Sequence, residues 1–499
     1  MNLKAESIDI GTRRPIVLLH RADAKTLGVR PLDRIEIHDG DELAIGIVKL
    51  TEDLLDPGII GITHGLPDLV GTVEVIPAPQ PESVASIRRK LVGLELDDHE
   101  LETIVEDIEE DRLSDVELSA YVTGSYVNGL SLWETSKLTE HMTNVGSRLS
   151  WDEPVVVDKH SIGGVAGNRV TPILVSIVAS SGLTIPKTSS RAVTSPAGTA
   201  DTMEVFCSVE FSGHEIRRIV EETGGCLVWG GAVDLSPVDD EMIRAQAPLS
   251  LDPPGQIVAS VLSKKASVGS SHVIVEIPYG EGAKVGTLDD ARDLASHFHH
   301  VGSRIGLETE CAITRGSGPI GRGIGPVLEA RDVLEVLSGR GPEDLRRKSL
   351  GLAEALFDLV EDREGITGGT QSARELLDSG EALETFRSIV EAQGGDPDVQ
   401  RSDLQPGGHT KTITADRSGI VTNVSNEDVN RLARRAGAPG DRGAGLYVHR
   451  EIGEEIDIGD ELYTIHATSE LKLERAIAYE VDRRIMYVAD PGEVLVERM

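Results

Sequence analysis

The chain has 499 residues, of which 39% are hydrophobic but only 3% aromatic, so Ala, Val, Ile and Leu must fill its cores. Single cores stop growing at about 250–300 residues, which implies several domains. A net charge of −35 and a pI near 4.7 exclude the basic footprint of a nucleic-acid-binding protein.

Residues 1–80 read as a small β-rich, barrel-like domain: the β-branched runs Pro15–Leu19, Arg34–Ile37, Ala44–Leu50 and Thr72–Ile76 are separated by Gly, Asp and Pro turns. Pro77–Pro81 reads as a linker. Apolar residues at i, i+3, i+4 spacing then predict helices over Glu82–Leu94, Asp98–Glu110, Ser114–Asn128 and Ser131–Val145. From Glu153 the pattern changes to βαβ. Strands are expected at Pro154–Asp158, Leu183–Pro186, Gly224–Leu227 and Val273–Ile277. Helices are expected at Thr171–Ser181, Leu288–Val301, Val327–Leu337, Pro342–Leu359 and Ser372–Leu377. From His409 short strands return (Lys411–Ala415, Gly419–Val424, Glu461–His466) around a helix at Asn426–Ala436. The expected class is multi-domain α/β, with a largely parallel sheet in its central part. The N-terminus has no apolar signal core and no apolar run of about 18 residues follows, so a cytoplasmic, membrane-free protein is expected. The acidity is spread along the chain and Arg outnumbers Lys, as on a halophile's solvated surface. Cys207, Cys226 and Cys311 lack metal-ligand spacing, and their odd count argues against a disulfide framework, leaving them as small buried hydrophobes.

An acidic protein that binds anions must concentrate its few cations, which makes placed lysines informative. Lys159-His160-Ser161-Ile162-Gly163-Gly164 follows a strand and precedes a helix. Glycines there let the backbone approach an oxyanion and Lys159 adds a full charge. It is not a Walker A loop. Ser189 to Thr199 (SSRAVTSPAGT) gathers five hydroxyls around Arg191, after a second strand, a composition suited to a phosphate. Either segment alone reads equally as a surface turn; two at successive strand ends of one sheet point to a crevice. In the third segment, Leu251 to Lys265, Ser260 and Lys264 share a helical face, and Asp252 precedes a Pro-Pro helix start, where capping is its plain role. Lys284 sits in the Gly-rich turn Tyr279–Gly286. Gly316 to Gly321 matches GxGxxG, but Pro319 and further glycines follow in place of a helix, and His299-His300 lack a ligand set.

In order and spacing, KHSIGG, SSRAVTSPAGT and LDPPGQIVASVLSKK resemble the thymidine and pyrimidine-nucleoside phosphorylase family across roughly residues 86–495. The resemblance implies a helical domain at 82–150, to which about 237–268 return. It implies an α/β phosphate-binding domain at 151–236 and 269–405, and a C-terminal β-rich (α+β) domain at 409–499. The added domain at 1–80 and the SRAVTS-type loop are similar to the archaeal branch that acts on nucleoside monophosphates. Where pyrimidine-specific members grip the base with an Arg, Ala245 stands here, beside Arg244, which weakens a strictly pyrimidine reading.

By that resemblance the nucleotide sites are Gly164, Ser190, Arg191, Ala192, Val193, Thr194, Ser195, Thr199, Ser260 and Lys284; Asp252 is the proton donor; Lys159 and Ser161 hold inorganic phosphate. His160 and Lys264 are adjoining candidates. The expected reaction is AMP plus phosphate to adenine and ribose 1,5-bisphosphate, with CMP and UMP unordered behind AMP. Proton donation by Asp252 requires its pKa to be raised from about 3.9 by burial. No metal or organic cofactor is implied, and a homo-oligomer is the family default. The competing readings are a pyrimidine-nucleoside phosphorylase, an anthranilate-type phosphoribosyltransferase and a nucleotide-binding sensor.

Overall fold

Alternation of apolar and polar residues in the N-terminal segment closes a six-stranded barrel. Its strands are β1 (Asn2–Ser7), β2 (Ile16–His20), β3 (Arg34–Asp39), β4 (Glu42–Thr51), β5 (Ile59–Ile62) and β6 (Gly71–Pro77), in the order β1-β5-β2-β4-β3-β6. Antiparallel pairing of β1 with β6 completes the ring, so no strand edge is left open. Leu3 and Ala5 point inward from β1 as Val73 and Val75 do from β6, the period-2 pattern of a one-sided strand. Helix α1 (Arg21–Leu27) follows β2. The computed structural model describes residues 1–489 except Arg13, Asp41, Val70, Val193, Thr194, Asp234, Ser250 and 365–370.

The chain divides into two compact units, Met1–Val145 with Pro237–Ala259, and Gly146–Ser236 with Ser260–Met499. The first holds the barrel and the helices α2 (Ser83–Leu91), α3 (Asp98–Glu109), α4 (Asp115–Asn128) and α5 (Leu132–Val145). Capping boxes at Asp97/Glu100 and Ser114/Glu117 set the starts of α3 and α4. Leu101, Ile104, Leu138 and Met142 bury their apolar stripes together with Val238 and Met242, which a later segment brings back to this core.

The second unit is built on parallel strands. In chain order it has β7 (Val157–Ser161), α6 (Val170–Ser180), β8 (Ile185–Ser189), α7 (Thr199–Met203), α8 (Gly213–Thr223) and β9 (Gly225–Trp229). The chain then passes through α9 (Pro237–Gln246) and α10 (Pro254–Ser267) before β10 (His272–Tyr279), α11 (Leu288–Arg304) and β11 (Glu308–Arg315). β11, β10 and β7 form one parallel ladder, β8 and β9 another, and a parallel bridge from Val156 to Thr184 joins them. The resulting order is β11-β10-β7-β8-β9. Succession runs outward from β7 in one direction and restarts beside it at β10, which makes the β7/β10 boundary a topological switch point. Ligands of open α/β sheets bind outside the carboxyl ends of the strands at such a point. α6 is buried from Val170 to Ala179, as its all-round apolar sequence requires. Around it pack α13 (Glu343–Glu364), α14 (Ala373–Asp378) and α15 (Glu381–Ala392), with α12 (Pro326–Leu337).

The strand expected at Pro154–Asp158 lies further on. Registration of Lys159 with Ile274 and of Ser161 with Glu276 carries β7 through the polar residues Asp158 to Ser161, so the turn proper starts at Ile162. The C-terminal part contains two small sheets. One is β12-β15-β17-β13 (Gly323–Ile324, Gly445–Val448, Glu461–Ala467, His409–Thr414) and the other β16-β14-β18 (Glu455–Ile456, Gly419–Val424, Met486–Ala489). They are flanked by α16 (Asn426–Ala436) and α17 (Glu470–Asp482). The first sheet takes its edge strand β12 from the segment ahead of α12. Cys207 and Cys226 are buried, and Cys311 is only half-buried; burial pushes all three thiols up to about 12. Among the described residues no helix is long and apolar enough to cross a membrane.

Candidate active site

The turn after β7 lies at the switch point. Gly163 and Gly164 both have φ of +88°, a conformation that disfavours any side chain. A Cβ on Gly164 would lie 2.6 Å from the backbone nitrogen of Lys284, so this turn and the loop after β10 touch main chain to main chain. The exposed Lys284 side chain is thereby rooted beside the turn. The Ser161 hydroxyl is buried and has no hydrogen-bond partner among the described residues, a donor held ready for an acceptor. Gly164→Ala is expected to cost about 1–3 kcal/mol in backbone strain alone, and to raise KM for phosphate at temperatures where the variant is still folded. Steady-state kinetics beside thermal unfolding checks this.

Beneath the turn lies a set of buried charges. Lys159 is 1% exposed and pairs with Glu276 at 3.0 Å; Lys348 reaches the other oxygen of the same carboxylate. Burial pulls the Lys159 ammonium down, opposed by Glu276. Lys265 binds Asp158 at 2.7 Å, and Lys187 lies 3.8 Å from the same residue. Burial and the neighbouring Lys265 drive the Lys187 ammonium well below its ordinary value. Half-buried His160 is driven well below its ordinary value by burial and then by Lys265, Lys187, Lys264 and Lys159, so it acts as a neutral ring. Five basic side chains (Lys159, Lys187, Lys265, Lys348, Arg169) thus meet three acidic ones (Asp158, Glu276, Glu329). In a chain of net charge −35 such a gathering of basic side chains favours an anion in its neighbourhood. Lys159, expected to face phosphate directly, is turned to Glu276 instead.

Arg169, which the sequence did not single out, joins the two candidate loops. It donates to Thr199 Oγ1 and to the Ala197 carbonyl, both at 3.0 Å, and pairs with the buried Glu329. The 162–169 turn and the 190–199 loop therefore lie side by side. Within the second loop a Cβ on Gly198 would lie 2.4 Å from the Ser190 carbonyl, so the loop folds tightly on itself. Asp201 accepts from the backbone N–H groups of Ala192 and Gly198, each at 2.7 Å, and Ser195 donates to the Ala197 carbonyl. Arg191 is not aimed at a ligand. Its guanidinium is held by both oxygens of Glu204 at 2.9 Å and by Glu210 at 2.8 Å, and lies over the Trp229 ring. Those carboxylates hold its pKa above the ordinary value. The fork-shaped cation that suggested phosphate binding fastens the loop instead, leaving the exposed Ser190 and half-buried Ser195 and Thr199 as its outward polar groups. Val193 and Thr194 lie outside the described residues.

Ser260 and Lys264 share one face of α10, as their spacing requires, and both are half-buried. Asp252 is half-buried two residues ahead of that helix and belongs to the first unit. Arg244, also in the first unit, pairs with Glu241 at 2.8 Å. Gly316 to Gly321 forms a loop tied to β10 by a bond from Gly316 N–H to the Tyr279 carbonyl, with no helix at its end.

Family models match in three consecutive stretches. Residues 84–146 match the helical bundle domain of a glycosyl transferase family, 153–383 its a/b domain, and 420–486 the pyrimidine nucleoside phosphorylase C-terminal domain. The AMP phosphorylase of Natronomonas pharaonis is 64% identical over 500 residues, covering 100% of both chains. AMP phosphorylase 1 of Archaeoglobus fulgidus is 45% identical, over 96% of this chain and 95% of its own. The AMP phosphorylase of Thermococcus kodakarensis is 45% identical over 99% of each. Among solved structures, the anthranilate phosphoribosyltransferase of Thermus thermophilus superposes with a TM-score of 0.52 at 16% identity. It covers 62% of this chain and 99% of its own, a likeness of fold alone. With full-length identity of this order, the chain belongs to the AMP phosphorylase family.

Proposed function

We propose that the chain catalyses phosphorolysis of AMP: inorganic phosphate attacks C1′ of the ribose, the C–N bond to adenine breaks, and ribose 1,5-bisphosphate is released. The observation that supports this reading is the Arg169 bridge, which brings the 162–169 turn beside the hydroxyl-rich loop; in this reading the turn takes the attacking phosphate and the loop the phosphate already on the sugar. Ser161 and the backbone of the 162–164 turn hold the nucleophile over the lysine cluster. Its oxygens then stabilise the oxocarbenium-like transition state electrostatically. Thr199 Oγ1 accepts from Arg169, which leaves its own proton for a phosphate oxygen of the nucleotide; Ser190, Ser195 and Lys284 complete that grip. Ser260 and Lys264 serve the base, and Asp252 protonates adenine as it leaves. CMP and UMP are secondary substrates in this reading, and a homo-oligomer is the working form.

The test is base release from AMP, CMP, UMP, adenosine, uridine and thymidine, each with and without phosphate at fixed salt. AMP should be cleaved only with phosphate present. Adenosine should lose about 10²-fold or more in kcat/KM, the worth of one or two hydrogen bonds to a charged group. Faster cleavage of free uridine or thymidine would transfer the chain to the pyrimidine-nucleoside reading. Binding of AMP without base release would make it a sensor.

A further inference from the structure

A second concentration of positive charge lies on the C-terminal part of the second unit, on α16 and α17. A cavity of about 600 Å³ is lined by Arg431, Arg434, Arg435, Gly437, Lys472 and Arg475, with no carboxylate in its wall. Four of the five cations are exposed and Lys472 is half-buried. Arg431 pairs with Glu427 one helical turn earlier, and Lys472 with Asp441 at 2.5 Å. Arg435 instead lies 5.3 Å over the ring of Tyr479, and among the described residues neither it nor Arg475 has a carboxylate partner. Five cations lining one depression repel one another, in a chain whose net charge is −35. A ligand that brings its own negative charge removes that repulsion. The volume is within the range of small-molecule sites, and the depression is a broad, open one.

The wall is also wired to the nucleotide loop. Arg434 donates to the Ser195 carbonyl at 3.1 Å, and the nearby Arg442 donates to the Glu204 carbonyl at 2.9 Å while pairing with its carboxylate at 3.2 Å. Glu204 is the residue that holds Arg191 in the loop. We propose that this cavity binds a compact anion carrying two or more phosphates, and that occupancy draws Arg434 away from the Ser195 carbonyl, loosening the loop and weakening nucleotide binding. The effect on the nucleotide rests on the phosphorolysis reading; the existence of the anion site does not.

Tripolyphosphate, which has neither base nor sugar, is the probe. It is titrated calorimetrically at constant salt into the full chain and into the double variant Arg435→Gln/Arg475→Gln, with the single charge reversal Arg475→Glu as a second variant. The wild type should bind it, and both variants should bind it at least about tenfold more weakly. In the assay, KM for AMP should rise about fivefold, within the usual range of coupling between sites, and then level off at unchanged kcat. The double variant should keep its basal KM and fail to respond. Arg434→Gln should start from the raised KM. Equal binding to wild type and variants overturns the site. A KM that climbs without a plateau, and does so equally in the variants, reduces the effect to competition at the active site. A change in oligomeric state in the variants without loss of a calorimetric response assigns the cavity to contact with another copy of the chain. If the chain releases no base from any nucleotide, calorimetry alone still decides whether the cavity is an anion site.

Discussion

Asp252→Asn is expected to lower kcat for AMP by about 10²–10⁴-fold, the range over which a positioned proton donor accelerates a reaction, with little change in AMP affinity. Adenine leaves poorly as an anion, so the bond to C1′ breaks readily only if a proton reaches the ring as the electrons do. Asn keeps the size and hydrogen-bonding reach of Asp but has no proton to give. The residue stands just ahead of α10, whose first turns have anchors of their own. Ile257 N–H bonds to the Pro253 carbonyl, and Gly255 packs so closely on Leu130 and Thr135 that a Cβ there would lie 2.8 Å from either. The substitution should therefore leave the helix start intact, which circular dichroism and equilibrium AMP binding verify. A discriminating readout is the leaving group. A nucleotide whose base departs more easily as an anion should lose much less rate in the variant than AMP does. Equal losses across such substrates would make Asp252 a positioning residue, and near-normal turnover on AMP would remove it from the chemistry.

What could be read from the chain depended on how local the signal was. Glycine turns, hydroxyl clusters and helical periodicity are short-range, so a glycine turn after β7, a loop after β8 and the Ser260/Lys264 face are present as the residues implied, although the turn begins at Ile162 and not at Lys159. The barrel was less visible. Asn2–Ser7 contains no β-branched residue and Ile59–Ile62 is only four residues long, so neither carries a strand signal without its partners. Strand β7 was misplaced for a related reason. Asp158, Lys159, His160 and Ser161 look like loop residues, and only pairing with β10 on one side and buried counter-charges on the other make them strand. The role of Arg191 was also non-local, because Glu204, Glu210 and Trp229 reach it through the fold rather than along the sequence. One signal was present and unused. A single Glu within the apolar run Val273–Ile277, and a Lys inside Ile185–Ser189, are charges in strands that read as buried. Such residues are retained only where opposite charges meet them, and here they mark the floor of the site.

Glu276→Gln follows from that floor and should produce the largest loss of stability. The Glu276 carboxylate is fully buried; it pairs with Lys159 and Lys348 and accepts from Thr314 at 3.2 Å and from Asn168 at 3.3 Å. Removing its charge leaves two ammonium groups without their counter-ion, and breaking a buried pair from one side costs about 3–5 kcal/mol. Urea unfolding of the wild type and variant at one salt concentration measures the difference. Glu276→Gln should also abolish a defined pH dependence. Burial pushes this carboxyl up, but Lys159 and Lys348 pull it further down, to about 2. An unfolded Glu titrates near 4.3. A depressed native value means that the folded state binds the proton less readily than the unfolded state does. The carboxylate's contribution is therefore complete above about pH 5 and is lost as the pH falls from about 4 toward 2. The wild type should lose its extra stability across that window while the variant stays flatter, so that the two converge in acid. A constant gap from pH 7 to pH 3 would mean that the substitution disturbs packing rather than charge. Because the same two lysines supply the field over the phosphate turn, the variant should bind inorganic phosphate no more weakly than the wild type wherever it remains folded. The released ammonium charge is then answered by the ligand.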